Sequence, residues 1–526
     1  MPQHGVDEAV PDRDAGRIDP SFLALPLREM ARAALERARE LGVDHADFRS
    51  ERIREQMIRL RDGRLDGVND SSEAGISIRV VHEGTWGFAA GVVQTPEAAA
   101  RLAEQAVRVA QVSRPVNSEP VVLAPEPSYG EQVWVSAYEV DPFEVADAEK
   151  IALLTQWSHR LLAADGIDHV DASVHAVKEN KFYADTNGTV TTQQRVRVHP
   201  VVEAVSVDAA GKYGTPGAFE SMRTLAPPAG WGWEYLTRGV DGGGWDWDAE
   251  LAALPGLLAE KLAAPSVEAG EYDLVIAPSN LWLTIHESIG HATELDRVLG
   301  YEAAYAGTSF ATLDQLGTLK YGSGVMNVTG DRVVEHGLAT VGFDDEGVQA
   351  QSWPLIRDGI LVGYQMDRRI AQLEGLGGGR SNGCAFADSP GHVPIQRMAN
   401  VSLQAAADGP STQELIGRVS RGLFIEGDKS WSIDMQRYNF QFTGQRAFLI
   451  VDGKLAGQVR DFAYQATTTD FWGAMEAVGG PDTYVLGGAF NCGKGQPGQA
   501  APVSHGCPSA LFRGVRILNT VQEAGQ

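Results

Sequence analysis

The alternation of apolar and polar positions changes period several times along the chain. Leu27, Met30, Ala34 and Ala38 recur at helical spacing ahead of Gly42, which predicts a helix over 21–41. Two-residue alternation follows at 46–52, 56–60, 65–68, 75–82 and 85–90, with Asp62-Gly63 as a tight hairpin signal. Thr95-Pro96 opens an Ala- and Val-rich helix to about 112, and 114–141, with several Pro and little period, reads as a linker or covering segment. A helix over 145–164 and a second alternating stretch with Asn187-Gly188 at its turn repeat the order of helix, hairpin and strands. That repetition is either a duplicated unit or two uses of the same hairpin chemistry. Beyond a helix at 249–264 and an apolar strand at 272–277, Trp282, Ile285, Ile289, Ala292, Leu295 and Leu299 mark an amphipathic helix over 279–299, with Ser279 as its expected N-cap. The remainder is mostly strand-like, with Asp358-Gly359 and Asp452-Gly453 as further hairpins.

These elements predict an α+β chain. A flexible tail (1–20) precedes a mixed α/β N-terminal domain (21–248). A β-rich C-terminal domain (249–526) follows, on a large antiparallel sheet curled into an incomplete barrel, with the 279–299 helix at its start. The Gly- and Trp-rich stretch 227–247 marks the boundary. Its four Trp either pin a loop to the core or offer a stacking surface.

With 526 residues, 43% of them hydrophobic, the chain can bury two or three cores, and no apolar run approaches the length of a membrane span. The polar N-terminus lacks an apolar signal-peptide core, and three Cys make no disulfide framework, so a cytoplasmic protein is expected. A formal charge of −25 argues against nucleic-acid binding, which needs basic surface. Arg49, Arg52, Arg54, Arg59, Arg61 and Arg64 cluster locally, as solvent-facing strand positions or as a peptide-lining groove.

The chemistry lies on the 279–299 helix. His286, Glu287 and His291 form H-E-x-x-x-H, one residue longer than the H-E-x-x-H of zinc peptidases. Five residues apart on an ideal helix, the two rings diverge by roughly 140°. Both reach one metal ion only if the helix is distorted, for instance by a π-bulge, and Gly290 is the residue to tolerate it. Glu287 then suits a general base acting on water at the metal. A catalytic site needs a third protein ligand. Glu294, Asp296, His336, His392, His505 and the three Cys are all candidates, and spacing does not choose among them.

HESIGHATELD (286–296), FDDEG (343–347), GGGRSNG (377–383), PIQRMANVSL (394–403) and NCGKGQ (491–496), in that order, resemble the TldD/PmbA family of zinc metallopeptidases, and its TldD-type subunit in particular. The paralogous PmbA-type (TldE) subunit lacks the histidine motif. The resemblance implies Zn2+ held by His286, His291 and Cys492, with Cys492 in an exposed loop beside Lys494. Glu294 and Asp296 fall inside the family's histidine motif, where they could orient a ligand imidazole, and Arg380 could hold a substrate carboxylate or carbonyl. Cys384 and Cys507 lie outside the motifs and read as small packed thiols.

The resulting expectation is a zinc-dependent peptidase. The resemblance further implies unfolded or short peptides as substrates, and pairing with a PmbA/TldE-type subunit or a second copy of the same chain around an enclosed site. The alternatives are a peptide-tailoring metalloenzyme of another reaction type and a regulatory binding subunit, since the family has also been described as modulating DNA gyrase.

Overall fold

The computed structural model describes residues 17–208, 210–212, 217–240, 244–374, 379–495 and 498–523. The predicted tail falls largely on 1–16, outside the described residues, while Ile18 and Phe22 are already buried.

The first half is organised by two long hairpins. Helix α1 (Leu27–Glu40) leads into β1 (His45–Arg61), β2 (Arg64–His82), β3 (Thr85–Gly91) and α2 (Pro96–Ser113). After β4 (Glu131–Val135), helix α3 (Asp147–Leu162) leads into β5 (His169–Asp185), β6 (Val190–Asp208), β7 (Ala218–Arg223) and α4 (Trp247–Ala263). The segments predicted as separate strands at 46–52 and 56–60, and at 65–68 and 75–82, are single strands of 17 and 19 residues. Residues 64–73 are exposed on both faces, so that part of β2 has no apolar alternation to read. The first and second hairpins join through β1 and β5 in the sheet order β3-β2-β1-β5-β6-β4, with β7 also on β6. The expected linker 114–141 thus contains β4, a short parallel partner of β6 whose five residues are too few to show a period.

In the second half the curled sheet closes. Strand β8 (Gly270–Ile276) feeds helix α5 (Pro278–Ile285), and β9 (Val328–Asp331), β10 (Ser352–Arg357) and β11 (Asn400–Leu403) form a smaller sheet. Then come β12 (Arg421–Ile433), β13 (Asn439–Val451), β14 (Phe462–Thr467), β15 (Val485–Lys494), β16 (Gln499–Cys507) and β17 (Ala510–Asn519). The ring β12-β8-β17-β14-β13 returns to β12. It is a barrel of five strands, antiparallel except at β8–β12, where the chain has crossed over through the intervening elements. Leu274, Ile276, Leu423, Ile425, Phe440, Phe442, Tyr464 and Phe512 join its core, while Val275 packs outward against Leu415 and Ile416. Burial on both faces explains the apolar run Leu274–Ile276 that ends β8.

The halves meet through charged side chains. Arg79 holds Glu346 at 2.8 Å, Lys181 holds Asp345 at 2.7 Å, and Gln193 binds the main chain of Gly342 and Phe343. The FDDEG stretch is therefore a junction between the hairpin sheet and the barrel side. Trp233 and Trp247 are buried, Trp247 stacks on Trp157, and Trp231 stacks on His336, so these rings pin their loop rather than face a ligand. Among the described residues, no helix is long and apolar enough to cross a membrane.

Candidate functional site

Helix α5 starts two residues earlier than its Ser279 cap predicts. Ala277 is the N-cap and Pro278 sits in the first turn, where its missing N–H costs nothing. Ser279 Oγ instead accepts the N–H of Gly427 on β12, tying the helix to the barrel. After Ile285 the helix widens into a π turn over His286–Gly290. The N–H of His291 donates to the carbonyl of His286, so the five-residue bond joins the two histidines themselves and brings their rings to a centroid distance of 4.7 Å. Gly290 keeps an ordinary helical φ of −53°. A Cβ there would lie 2.6 Å from Met398 Sδ, so the buried Met398 side chain would have to shift to admit it.

Cys492 arrives from the far end of the chain, on β15. It is buried on a strand and not in an exposed loop: the hairpin β15–β16 packs on α5 and covers the thiol. Ligand atoms of His286, His291 and Cys492 lie within 4.8 Å of one another, and all three residues are buried. Among the described residues this is the group able to hold a metal ion.

Hydrogen bonds fix which nitrogen of each ring faces the thiol. His505 Nδ1 lies 2.9 Å from the Val401 carbonyl, which only accepts, so Nδ1 carries the proton. Burial, and then the neighbouring His286, push the His505 pKa well down, leaving its neutral Nε2 as an acceptor. His286 Nδ1 therefore donates to it at 2.7 Å, and His286 Nε2 keeps its lone pair for a metal. His291 Nδ1 donates to Glu294 Oε2 at 2.8 Å, freeing Nε2, which lies 3.6 Å from Cys492 Sγ. Glu294 is held in turn by Lys494, whose Nζ also reaches Asp296 and Gln396. Burial raises the Glu294 pKa, but Lys494 and His291 outweigh it and hold it well below the usual carboxylate range. Lys494 thus serves the carboxylates behind the site and does not face the thiolate.

The three thiols differ in kind. Burial raises Cys492 too, but the His291 ring and the Arg397 guanidinium bring it below the ordinary thiol value. Burial pushes Cys384 up to about 12 and Cys507 higher still. Glu287 is buried, yet His291, His286 and Arg437 hold its pKa below the usual value. Arg437 Nη1 donates to Glu287 Oε2 at 2.7 Å, a contact nothing in the sequence pattern announces.

Beside these residues opens a cavity of about 920 Å³. His286, Glu287, His291 and Cys492 line it, together with His175, Val177, Glu179, Arg197 and His199 of β5 and β6. The structure places the remaining candidates elsewhere. Arg380 pairs with Glu126 and Tyr129 and does not line the cavity. His336 stacks on Trp231, and His392 pairs with Asp388. None of the six clustered arginines lines the cavity: Arg49 is buried against Glu51, and Arg52, Arg54 and Arg61 pair with Asp19, Asp70 and Asp171.

Known proteins share this architecture. A metalloprotease of Methanothermobacter thermautotrophicus is 27% identical over 91% of this chain and 96% of its own. A zinc metalloprotease TldD homolog of Saccharolobus solfataricus is 22% identical over 92% and 98%. The crystal structure of a Thermotoga maritima protein, described as a candidate modulator of a DNA gyrase, superposes with a TM-score of 0.71 at 18% identity, covering 93% of this chain and all of that one. The family models for PmbA/TldA metallopeptidase domain 1 and for its C-terminal domain match residues 46–110 and 269–519, the first hairpin unit and the barrel half that carries His286, His291 and Cys492. By both matches the chain belongs to the PmbA/TldD metallopeptidase family.

Proposed function

We propose that the protein is a zinc-dependent peptidase acting on unfolded or short peptides. The observation that carries this reading is the convergence of His286, His291 and Cys492 beside Glu287, at the wall of a cavity large enough for a peptide segment. The donor set fits zinc: two imidazoles with their Nε2 lone pairs set free and one thiol held below its ordinary pKa are ligands this ion takes, and three protein ligands suit a catalytic rather than a structural site. Bound there, zinc would supply positive charge that polarises a peptide carbonyl and makes water easier to deprotonate. Glu287, kept ionised by its neighbours, is the acceptor of the water's proton and afterwards its donor to the amide nitrogen of the departing peptide. His505 and Glu294 hold the two imidazoles in the required tautomer. His175, Val177, Glu179, Arg197 and His199 of β5 and β6 line the same cavity. Family membership supports the further reading that the active assembly pairs this chain with a PmbA/TldE-type subunit or with itself.

The test is zinc content and peptide turnover measured together. His291→Ala is expected to lose both. Glu287→Gln is expected to keep zinc and lose on the order of 10²–10⁴ in rate, because the amide cannot accept the proton. Full turnover in Glu287→Gln, or full metal retention in His291→Ala, would refute the reading. A gyrase-modulating role without catalysis predicts instead that neither substitution changes the biological readout.

A further inference from the structure

We propose that Arg437 is the positioning residue of Glu287. It fixes the carboxylate that moves the proton, and so sets the rate of the chemical step without holding metal. This inference rests on the peptidase reading for its kinetic consequence, though not for the contact itself.

Arg437 lies in the turn between β12 and β13 with φ of +63°, in the left-handed region that a side chain with a Cβ disfavours. Gly or Asn would satisfy the turn at less cost, so the turn alone does not explain an arginine. The backbone around it is held firmly. Asp434 accepts the N–H groups of Gln436, Tyr438 and Asn439, and the Arg437 carbonyl accepts the Thr468 hydroxyl at 2.7 Å. From this anchored turn the side chain reaches the cavity wall. Nη1 donates to Glu287 Oε2 at 2.7 Å, and Nη2 leans on the Ala306 carbonyl at 3.4 Å. A rigid fork anchored on the main chain leaves the carboxylate little freedom to turn away.

Position matters because Glu287 acts twice. It takes a proton from the attacking water as the water oxygen bonds to the peptide carbonyl carbon, and the carbonyl π pair moves onto the carbonyl oxygen. It then gives that proton to the amide nitrogen as the C–N bond breaks and the oxygen pair re-forms the carbonyl, leaving an amine and a carboxylic acid. Both transfers need a carboxylate within hydrogen-bond reach of the reacting atoms. A strained turn kept at a functional wall is what such a demand would preserve.

Arg437→Gly relieves the left-handed turn and removes the whole side chain, guanidinium included, whereas Arg437→Lys keeps a charge without the fork. On the zinc-loaded protein, Arg437→Gly is expected to lose about 100-fold in kcat with KM and zinc content near wild type. Arg437→Lys should fall between, and added guanidinium ion should restore part of the loss. In crystals of the metal-free Arg437→Gly protein, the Glu287 carboxylate should leave its wild-type position. A kcat within about twofold of wild type, a loss that guanidinium restores in no degree, or an unmoved Glu287 would overturn the proposal. If zinc-loaded wild type cleaves no peptide, the peptidase reading fails by itself, and the Glu287 position still decides the role of Arg437.

Discussion

Glu294→Gln tests how far the site depends on the charges behind it. Glu294 Oε2 accepts from His291 Nδ1 at 2.8 Å and more weakly from Arg297 Nε at 3.4 Å, while Oε1 accepts from Lys494 Nζ at 3.0 Å. Glutamine has the same shape but replaces one oxygen by a donor. Whichever way the amide is turned, its NH2 group meets either the imidazole N–H or the ammonium. One charge-assisted hydrogen bond is lost and the other becomes a bond to a neutral acceptor, each worth on the order of 1.5–3 kcal/mol. The Lys494 share weakens the fold with or without metal, because the buried ammonium keeps only Asp296 as a carboxylate partner. The His291 share bears on zinc, through loss of the fixed tautomer and of ligand basicity. It predicts zinc binding weaker by about 10–100-fold, or roughly 1.4–2.7 kcal/mol. Competition against a fluorescent chelator gives the affinity, and melting of the metal-free protein gives the fold contribution separately. Zinc affinity within about threefold of wild type would refute the idea that Glu294 acts on the metal through His291.

Cys492 alone should react with an alkylating reagent once zinc is chelated, and Cys492→Ser should lose zinc, whereas Cys384 and Cys507, packed and kept protonated, should stay unlabelled and dispensable for metal; labelling followed by peptide mass mapping decides it. Gly290→Ala is expected to destabilise by about 1–3 kcal/mol, despite the helix preference for Ala, because the new methyl meets Met398 Sδ. Relief of that loss by a second Met398→Ala substitution would locate the cause, and a stabilised Gly290→Ala protein would contradict it. No specific duplex-DNA binding is expected at physiological salt from a chain of charge −25, and a salt-sensitive shift in an electrophoretic assay would overturn this.

What the sequence reveals here is what local geometry encodes. Asp62-Gly63, Asp358-Gly359 and Asp452-Gly453 all form turns with both central residues at positive φ, as tight hairpins require. At Asn187-Gly188 only the glycine is left-handed, and the Asp185 carboxylate holds the loop, a side-chain contact that a dipeptide signal does not carry. Closure of the barrel was beyond reach for a similar reason. It depends on β8 lying parallel beside β12, whose first residue follows the last of β8 by some 145 positions, and no period spans that distance. His505 stood among the open ligand candidates, but its role behind His286, like that of Arg437 beside Glu287, was not legible, because each reaches the site from another strand or turn, with no spacing relative to the H-E-x-x-x-H motif.

The histidine pair is different, because there an apparent conflict was itself informative. A five-residue spacing contradicts the α-helical period if both rings are to meet, so either the rings do not share a ligand or the helix is not α at that point. The chain resolves this by a π turn bounded by the two histidines, with the strand carrying His505 and the loop carrying Met398 packed against its glycine. That packing holds the widened turn in place from outside. A π turn forfeits the tighter bonding of the α-helix, so it persists where neighbours over-determine it. The consequence is that the ring geometry depends on residues around Met398 and His505 as much as on the motif, and shortening H-E-x-x-x-H to H-E-x-x-H would not restore a site. Removing one residue would return the rings to one α-helical face but draw the chain in by about 1.5 Å while His286 stays on His505, so Glu294, moving with His291, would be pulled from Lys494 on β15.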